Sequence, residues 1–104
     1  MTIQLNTDKN LTIHLEYEEK INSQLNEGLS RFSDIITRLE VHLSDENGSK
    51  DGLDDKRCLL EAKVAGKDPI AVINMGNSYD LAITGALTKL KNALEKVAGK
   101  MKAH

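Results

Sequence analysis

Hydrophobic and polar residues alternate with two different periods along the chain, and the changes of period mark the predicted elements. Thr2 to Asn6 alternates apolar and polar residues, which is typical of a half-buried strand. From Ile13 to Phe32 the apolar residues recur every three or four positions, as they do on an amphipathic helix. The chain therefore begins with a predicted strand followed by a helix.

Three further segments alternate with the period of two that strands require. They are Ile35 to Ser44, Arg57 to Ala65, and Pro69 to Met75. The first two are separated by Asp45 to Asp55, a polar segment rich in turn-forming residues, which predicts a long loop. These segments add three strands to the predicted fold.

A second helix closes the pattern. Asn77 and Ser78 provide side chains that cap a helix start, and the apolar positions from Tyr79 to Val97 form one broad stripe. The predicted order is β-α-β-β-β-α. Because both helices must bury an apolar stripe, we expect an α+β fold in which they pack on one face of a four-stranded sheet.

Such a layout leaves the other face of the sheet open, and the last strand has apolar residues in both of its rows. We expect Ala71, Ile73 and Met75 to face the helices. The residues then left pointing outwards form a predicted protein interface or dimer surface, because large apolar patches often mark contact sites. They are Leu59, Ile70 and Val72.

The composition is that of a single globular domain. The chain has 104 residues, of which 29% are charged and 39% hydrophobic. The longest apolar run, Pro69 to Ile73, is far shorter than a membrane span of about 20 residues. The amino terminus has no basic segment leading into an apolar one, as a signal peptide would. We therefore expect a cytoplasmic protein, with the single Cys58 as a small buried hydrophobe.

The charge is distributed unevenly. Residues 86–104 contain five lysines and one glutamate, a net charge of +4, whereas residues 1–85 contain nine basic and fifteen acidic residues, a net charge of −6. Lys89, Lys96 and Lys100 fall along one border of the apolar stripe of the last helix. A Lys-rich helix end is commonly a solvated face, but it also suits an anionic partner.

The sequence contains no pattern typical of an enzyme. The acidic loop does not have the spacing of a calcium-binding EF-hand, and the three histidines, His14, His42 and His104, are widely separated. There is no phosphate-binding glycine loop, nucleophile elbow or spaced cysteine pair. We therefore expect a protein that is not an enzyme and has no metal, cofactor or small-molecule substrate.

The last helix carries a resemblance to a known family. The segment Asn77-Ser78-Tyr79-Asp80-Leu81-Ala82-Ile83-Thr84-Gly85-Ala86-Leu87-Thr88-Lys89-Leu90 resembles a family stretch in which an acidic cap and a Tyr open a helix that continues through an Ala-Ile pair to a Lys-Leu pair. The family is that of ribosome hibernation promoting factors, also called ribosome-associated inhibitors or sigma-54 modulation proteins. The opening strand and the Phe32 to Ile35 junction are similar too.

The resemblance implies a fold like that of double-stranded-RNA-binding domains and a function at the ribosome. Members bind the small ribosomal subunit near the decoding region, where they occlude mRNA and tRNA and keep ribosomes inactive under stress. Such binding relies on basic residues that contact rRNA phosphates. Lys89 matches the family's Lys-Leu pair, Lys96 falls in its later basic run, and Lys100 extends that charge. The first helix also turns toward rRNA in the family, which implies Lys20 and Arg31.

The chain departs from the family at several positions. Asn92 stands where members usually have a basic residue, and Gly85 lies inside the helix. The chain resembles the short form of the family, with one ribosome-binding domain over residues 1–104, a core to about residue 98 and a short basic tail at 99–104. The alternative hypothesis is a diverged protein-interaction module or weak homodimer that uses the open face of the sheet and does not bind ribosomes.

Overall fold

A computed structural model describes residues 1–8, 13–46 and 55–102. The elements follow the predicted order: β1 (Thr2–Thr7), α1 (Leu15–Gly28), a 3-10 turn (Ser30–Phe32), β2 (Ile36–Asp45), β3 (Lys56–Val64), β4 (Ile70–Gly76) and α2 (Tyr79–Lys102). The α+β prediction is confirmed. Helix α2 continues to Lys102, so residues 99–102 of the predicted tail are helical. Most of the predicted loop, residues 47–54, lies outside the described residues, as does His104.

The four strands form one sheet in the order β1-β2-β3-β4. Strand β1 pairs parallel to β2, and α1 makes the crossover between them. The pairs β2–β3 and β3–β4 are antiparallel. Strands β1 and β4 are therefore the two edges of the sheet.

The core lies between the sheet and the helices, and aliphatic side chains dominate it. The central strands contribute Leu39, Val41 and Leu60, and α2 contributes Ile83 and Leu90, all fully buried. Because burial of one such side chain stabilises the fold by about 1.5–3 kcal/mol, this layer fixes both helices on the same face of the sheet.

The predicted orientation of β4 is wrong. Val72 lies opposite the buried Leu60, and Ile70 lies opposite the buried Ala62, so both pack against the core. The other row faces away from the helices, with Ile73 44% and Met75 38% exposed. Ile70 and Val72 are therefore not on the open face. Leu59 does lie there, as expected, because it is paired with Ile73.

The end of β4 is joined closely to α2. Ser78 Oγ accepts a hydrogen bond from the backbone N–H of Leu81, which confirms the predicted cap. Asn74 shares the inward row of β4, and its Nδ2 donates to the carbonyls of Leu81 and Ala82 at 3.3 Å each. The absence of a side chain at Gly85 leaves room for that amide.

A half-buried ion cluster holds the base of the β2–β3 connection. Asp55 is only 4% exposed, and Lys56 Nζ lies 3.1 Å from its carboxylate and 3.1 Å from that of Asp45. The hydrogen bonds to Asp55 and Asp45 raise the pKa of Lys56. A buried carboxylate needs such a partner, so Lys56 keeps the end of the hairpin closed.

Candidate nucleic-acid interface

The candidate lysines of α2 lie on the exposed side of the helix. Lys89, Lys96 and Lys100 are all exposed. Their spacings of seven and four residues keep them on one side, since an α-helix repeats every 3.6 residues. Within the described parts of the chain, Lys96 and Lys100 make no ion pair or hydrogen bond. Both ammonium groups can therefore contact an anion without losing an existing partner.

Lys89 is in a different situation. Its Nζ donates a hydrogen bond of 2.8 Å to the backbone carbonyl of Ile73 in β4. The side chain thus bridges α2 and the edge of the sheet. To contact a phosphate, Lys89 would have to give up this bond.

The two candidates near the first helix are paired with carboxylates of α2. Arg31 Nη1 lies 2.7 Å from Glu95 Oε1, and Lys20 Nζ lies 3.5 Å from Asp80 Oδ2. The Arg31 and Lys20 side chains remain 71% and 63% exposed. Because exposed ion pairs contribute only about 0–1 kcal/mol, a phosphate could replace either carboxylate at small cost.

These pairs belong to a row of polar contacts that joins the helices. Tyr17 Oη donates to Asp80 at 2.8 Å, and Gln24 Nε2 donates to Thr84 at 3.2 Å. With Arg31–Glu95 the contacts advance in the same direction along both helices, so α1 and α2 run parallel with their N-terminal ends together. The partners lie about sixty residues apart in sequence, which is why the helical periodicity could not reveal them.

Burial raises the pKa of Tyr17, and its hydrogen bond to the Asp80 carboxylate raises it further. Burial also raises the pKa of Tyr79. Because folding favours the neutral phenol, this contribution to stability is complete below the ordinary pKa of 10.0 and is lost as the pH rises above it.

We therefore expect both tyrosines of the folded protein to ionise, as measured by tyrosinate absorbance, with midpoints above pH 10.0. With two Tyr and no Trp the titration is easily followed. Asp80→Asn should lower the midpoint of one tyrosine, because it removes the carboxylate beside Tyr17. Two tyrosines that both titrate at the ordinary value in the native protein would contradict this assignment.

The outer side of α1 is acidic. Glu16, Glu19 and Glu27 are exposed along it. These carboxylates repel anions, so the basic groups on this side of the molecule that suit an anion are those of α2 and of the α1–α2 seam.

The open face of the sheet has a shallow depression of about 340 Å³ near the end of β1. Arg57 Nε lies 3.6 Å from Glu46, and His42 Nε2 lies 3.7 Å from Glu40. The basic side chains beside the depression, Arg57 and His42, therefore each lie close to a carboxylate. The residues that line it are Asn6, Thr7, Asp8, His42, Leu43, Ser44 and Arg57.

The other side chains that could react or bind a metal have structural roles. Cys58 is fully buried, and burial raises the pKa of its thiol to about 12, so it is an inert part of the core. Within the described ranges, no group of three or more His, Cys, Asp or Glu side chains is placed to hold a metal ion. No helix described here has both the length and the apolar character to cross a membrane.

Comparisons with known proteins place this chain in a family. The family model described as sigma 54 modulation protein / S30EA ribosomal protein matches residues 7–102. A ribosomal subunit interface protein from Coxiella burnetii has a similar structure, with a TM-score of 0.80 and 16% identity over 95% of this chain and 99% of that one. The Protein Y N-terminal domain of Thermus thermophilus gives a TM-score of 0.72 and 20% identity over 93% and 99%. No curated protein matches the sequence. The match over residues 7–102 confirms the resemblance seen in α2: this chain belongs to the sigma 54 modulation protein / S30EA ribosomal protein family.

Proposed function

We propose that this protein is a ribosome-associated hibernation factor that binds the small ribosomal subunit near the decoding region and occludes mRNA and tRNA. The observation that carries the proposal is the family match over residues 7–102. The fold shared with a ribosomal subunit interface protein is consistent with it. In this proposal the protein acts by occupying space, without an enzymatic step.

Lys96 and Lys100 are the first phosphate contacts in this proposal. They are exposed, lie one helical turn apart and have no competing partner among the described residues. Adjacent RNA phosphates can therefore be neutralised by ammonium groups from one side of α2, with release of the counterions that surrounded them.

The second set of contacts comprises Lys89, Lys20 and Arg31. Each of these residues must exchange a partner within the protein for a phosphate. Arg31 would leave Glu95, and Lys20 would leave Asp80. The freed carboxylates remain beside the RNA and weaken its binding. This limited surface, on a chain with a net charge of −2, predicts binding that falls steeply as salt is added.

The proposal is tested by sedimenting the purified protein with 70S ribosomes and with separated subunits over a series of salt concentrations. We expect it to pellet with the small subunit and with vacant ribosomes at low salt, and to be released as salt increases. Bound mRNA and tRNA should reduce pelleting, because they occupy the same region. Absence of pelleting at the lowest salt, or equal pelleting with the large subunit, would contradict the proposal.

A further inference from the structure

The outer edge of β4 has the features of a surface that pairs with another strand. Strand β4 is the last in the sheet, and its seven residues, Ile70–Gly76, include no charged residue and no proline. Its register with β3 continues without a bulge. Charges, prolines and bulges are the usual devices that prevent edge pairing, so β4 itself contains none of them.

The hydrogen bond from Lys89 identifies which backbone groups face outwards. In an antiparallel pair, successive residues alternate between pointing their N–H and C=O groups at the partner strand and away from it. Since the Ile73 carbonyl accepts from Lys89 of the helix, Ile73 belongs to the outward set. Ala71 and Met75, two positions away on either side, therefore also direct their backbone groups outwards.

We propose that this edge is a self-pairing surface for the β4 strand of a second copy, and that Lys89 holds it closed. The edge is its own complement. An antiparallel pair with its twofold axis at Ile73 sets Ile73 opposite Ile73 and Ala71 opposite Met75, and each of these pairs can exchange two backbone hydrogen bonds. The two four-stranded sheets then form one continuous sheet of eight strands.

The side chains favour the same arrangement. Ile73 and Met75 are 44% and 38% exposed on the open face, next to Leu59 of β3. Pairing about Ile73 brings the exposed apolar side chains of the two copies next to each other. It therefore removes part of their apolar surface from water. With no charge in either strand, no like-charge contact opposes the pairing within the sheet itself.

Lys89 opposes this pairing in two ways. Its Nζ occupies the Ile73 carbonyl that the second strand needs, at 2.8 Å. The twofold axis would also bring the two Lys89 ammonium groups close together on the helical side. Repulsion between them disfavours the dimer, so the chain with Lys89 in place stays monomeric.

The test compares Lys89→Ala with Lys91→Ala by size-exclusion chromatography with light scattering at increasing protein concentration. Lys91 is exposed on the same helix and makes no hydrogen bond or ion pair among the described residues, so its variant is matched in charge and helix propensity. We expect the Lys89 variant to reach twice the 11.5 kDa of one chain, and the Lys91 variant to remain at one chain mass. Lys89→Met, which keeps the aliphatic stem, should also dimerise. If both Lys89 variants, folded by circular dichroism, remain monomeric at the concentrations used for NMR, the proposal is overturned.

A cysteine at position 73 tests the register. In a hydrogen-bonded antiparallel pair the two Cα atoms are about 5.5 Å apart, a distance that a disulfide can span. Ile73→Cys combined with Lys89→Ala should form a covalent dimer on mild oxidation, whereas Lys67→Cys in the turn before β4 should not. The native Cys58 is fully buried and does not interfere. Ile73→Lys in the same background should restore the monomer. A dimer that survives Ile73→Lys would show that another surface pairs.

Discussion

Gly85→Ala should destabilise this protein, although alanine is the better helix former. A Cβ atom at Gly85 would overlap Nδ2 of Asn74 and lie 2.6 Å from its Cγ. The amide would have to leave the carbonyls of Leu81 and Ala82, to which it now donates. Crowding of this kind costs about 1–3 kcal/mol and each lost hydrogen bond about 0.5–1.5 kcal/mol, and together these costs exceed the gain of about 1 kcal/mol from replacing glycine in a helix.

The sign of the effect should reverse when Asn74 is also removed. An Asn74→Ala background removes the three atoms nearest to a Cβ at position 85, so Gly85→Ala should there raise the free energy of unfolding through helix propensity. Gly99→Ala is the matched control, because nothing lies within 4 Å of the added methyl group. It should be neutral or stabilising. Urea unfolding of the four variants measures the coupling, and a Gly85→Ala protein as stable as wild type would refute it.

Charge reversal of the α2 lysines should have the largest effect on binding. Lys96→Glu/Lys100→Glu removes the two proposed phosphate contacts and places two carboxylates where the RNA backbone is expected. We expect small-subunit affinity to fall by about tenfold or more at moderate salt, with unchanged thermal unfolding, because both side chains are exposed and unpaired among the described residues.

Lys67→Glu provides the control for a single reversal. Lys67 is exposed in the turn between β3 and β4 and belongs to neither helix. It changes the net charge as much as Lys96→Glu does. If the two single variants lose affinity equally, only the overall charge matters and the location of the contacts on α2 is wrong.

The order of elements was predictable because each of them carries its own period. The strands alternate, the helices repeat every three to four residues, and Ser78 marks the start of α2 with a capping bond that the structure contains. The two central strands have one clearly apolar row each, so their inward faces were also evident. These local signals are sufficient for the α+β architecture.

The orientation of β4 was not predictable from its own residues, because both of its rows are largely apolar. Because the inward-facing row contains the polar Asn74, that row appeared to be the more polar one in the sequence. That amide is satisfied within the structure by carbonyls of α2, beside the space left by Gly85. The cross-strand partners of Ile70 and Val72 decide their orientation, and pairing register is a property of the whole sheet.

The site shows the same division between local and distant information. The row of Lys89, Lys96 and Lys100 follows from helical spacing. The partners of the other basic groups do not, because Arg31 meets Glu95 only after the chain has passed through three strands. In the sequence, Lys89 does not differ from the other lysines of the row. In the folded protein it is hydrogen-bonded to β4.

In the proposed function, this protein binds the small ribosomal subunit through phosphate contacts made by α2. The most direct test of these contacts is the slope of log affinity against log salt concentration for wild type, Lys96→Gln/Lys100→Gln and Lys67→Gln. Each lost phosphate contact should reduce the magnitude of the slope by about 0.7–1. We predict that Lys96→Gln/Lys100→Gln reduces the magnitude of the slope by the amount expected for two lost contacts. Lys67→Gln should leave the slope unchanged. Equal slopes for wild type and the α2 pair, or no measurable binding of the wild type, would contradict this mode of binding.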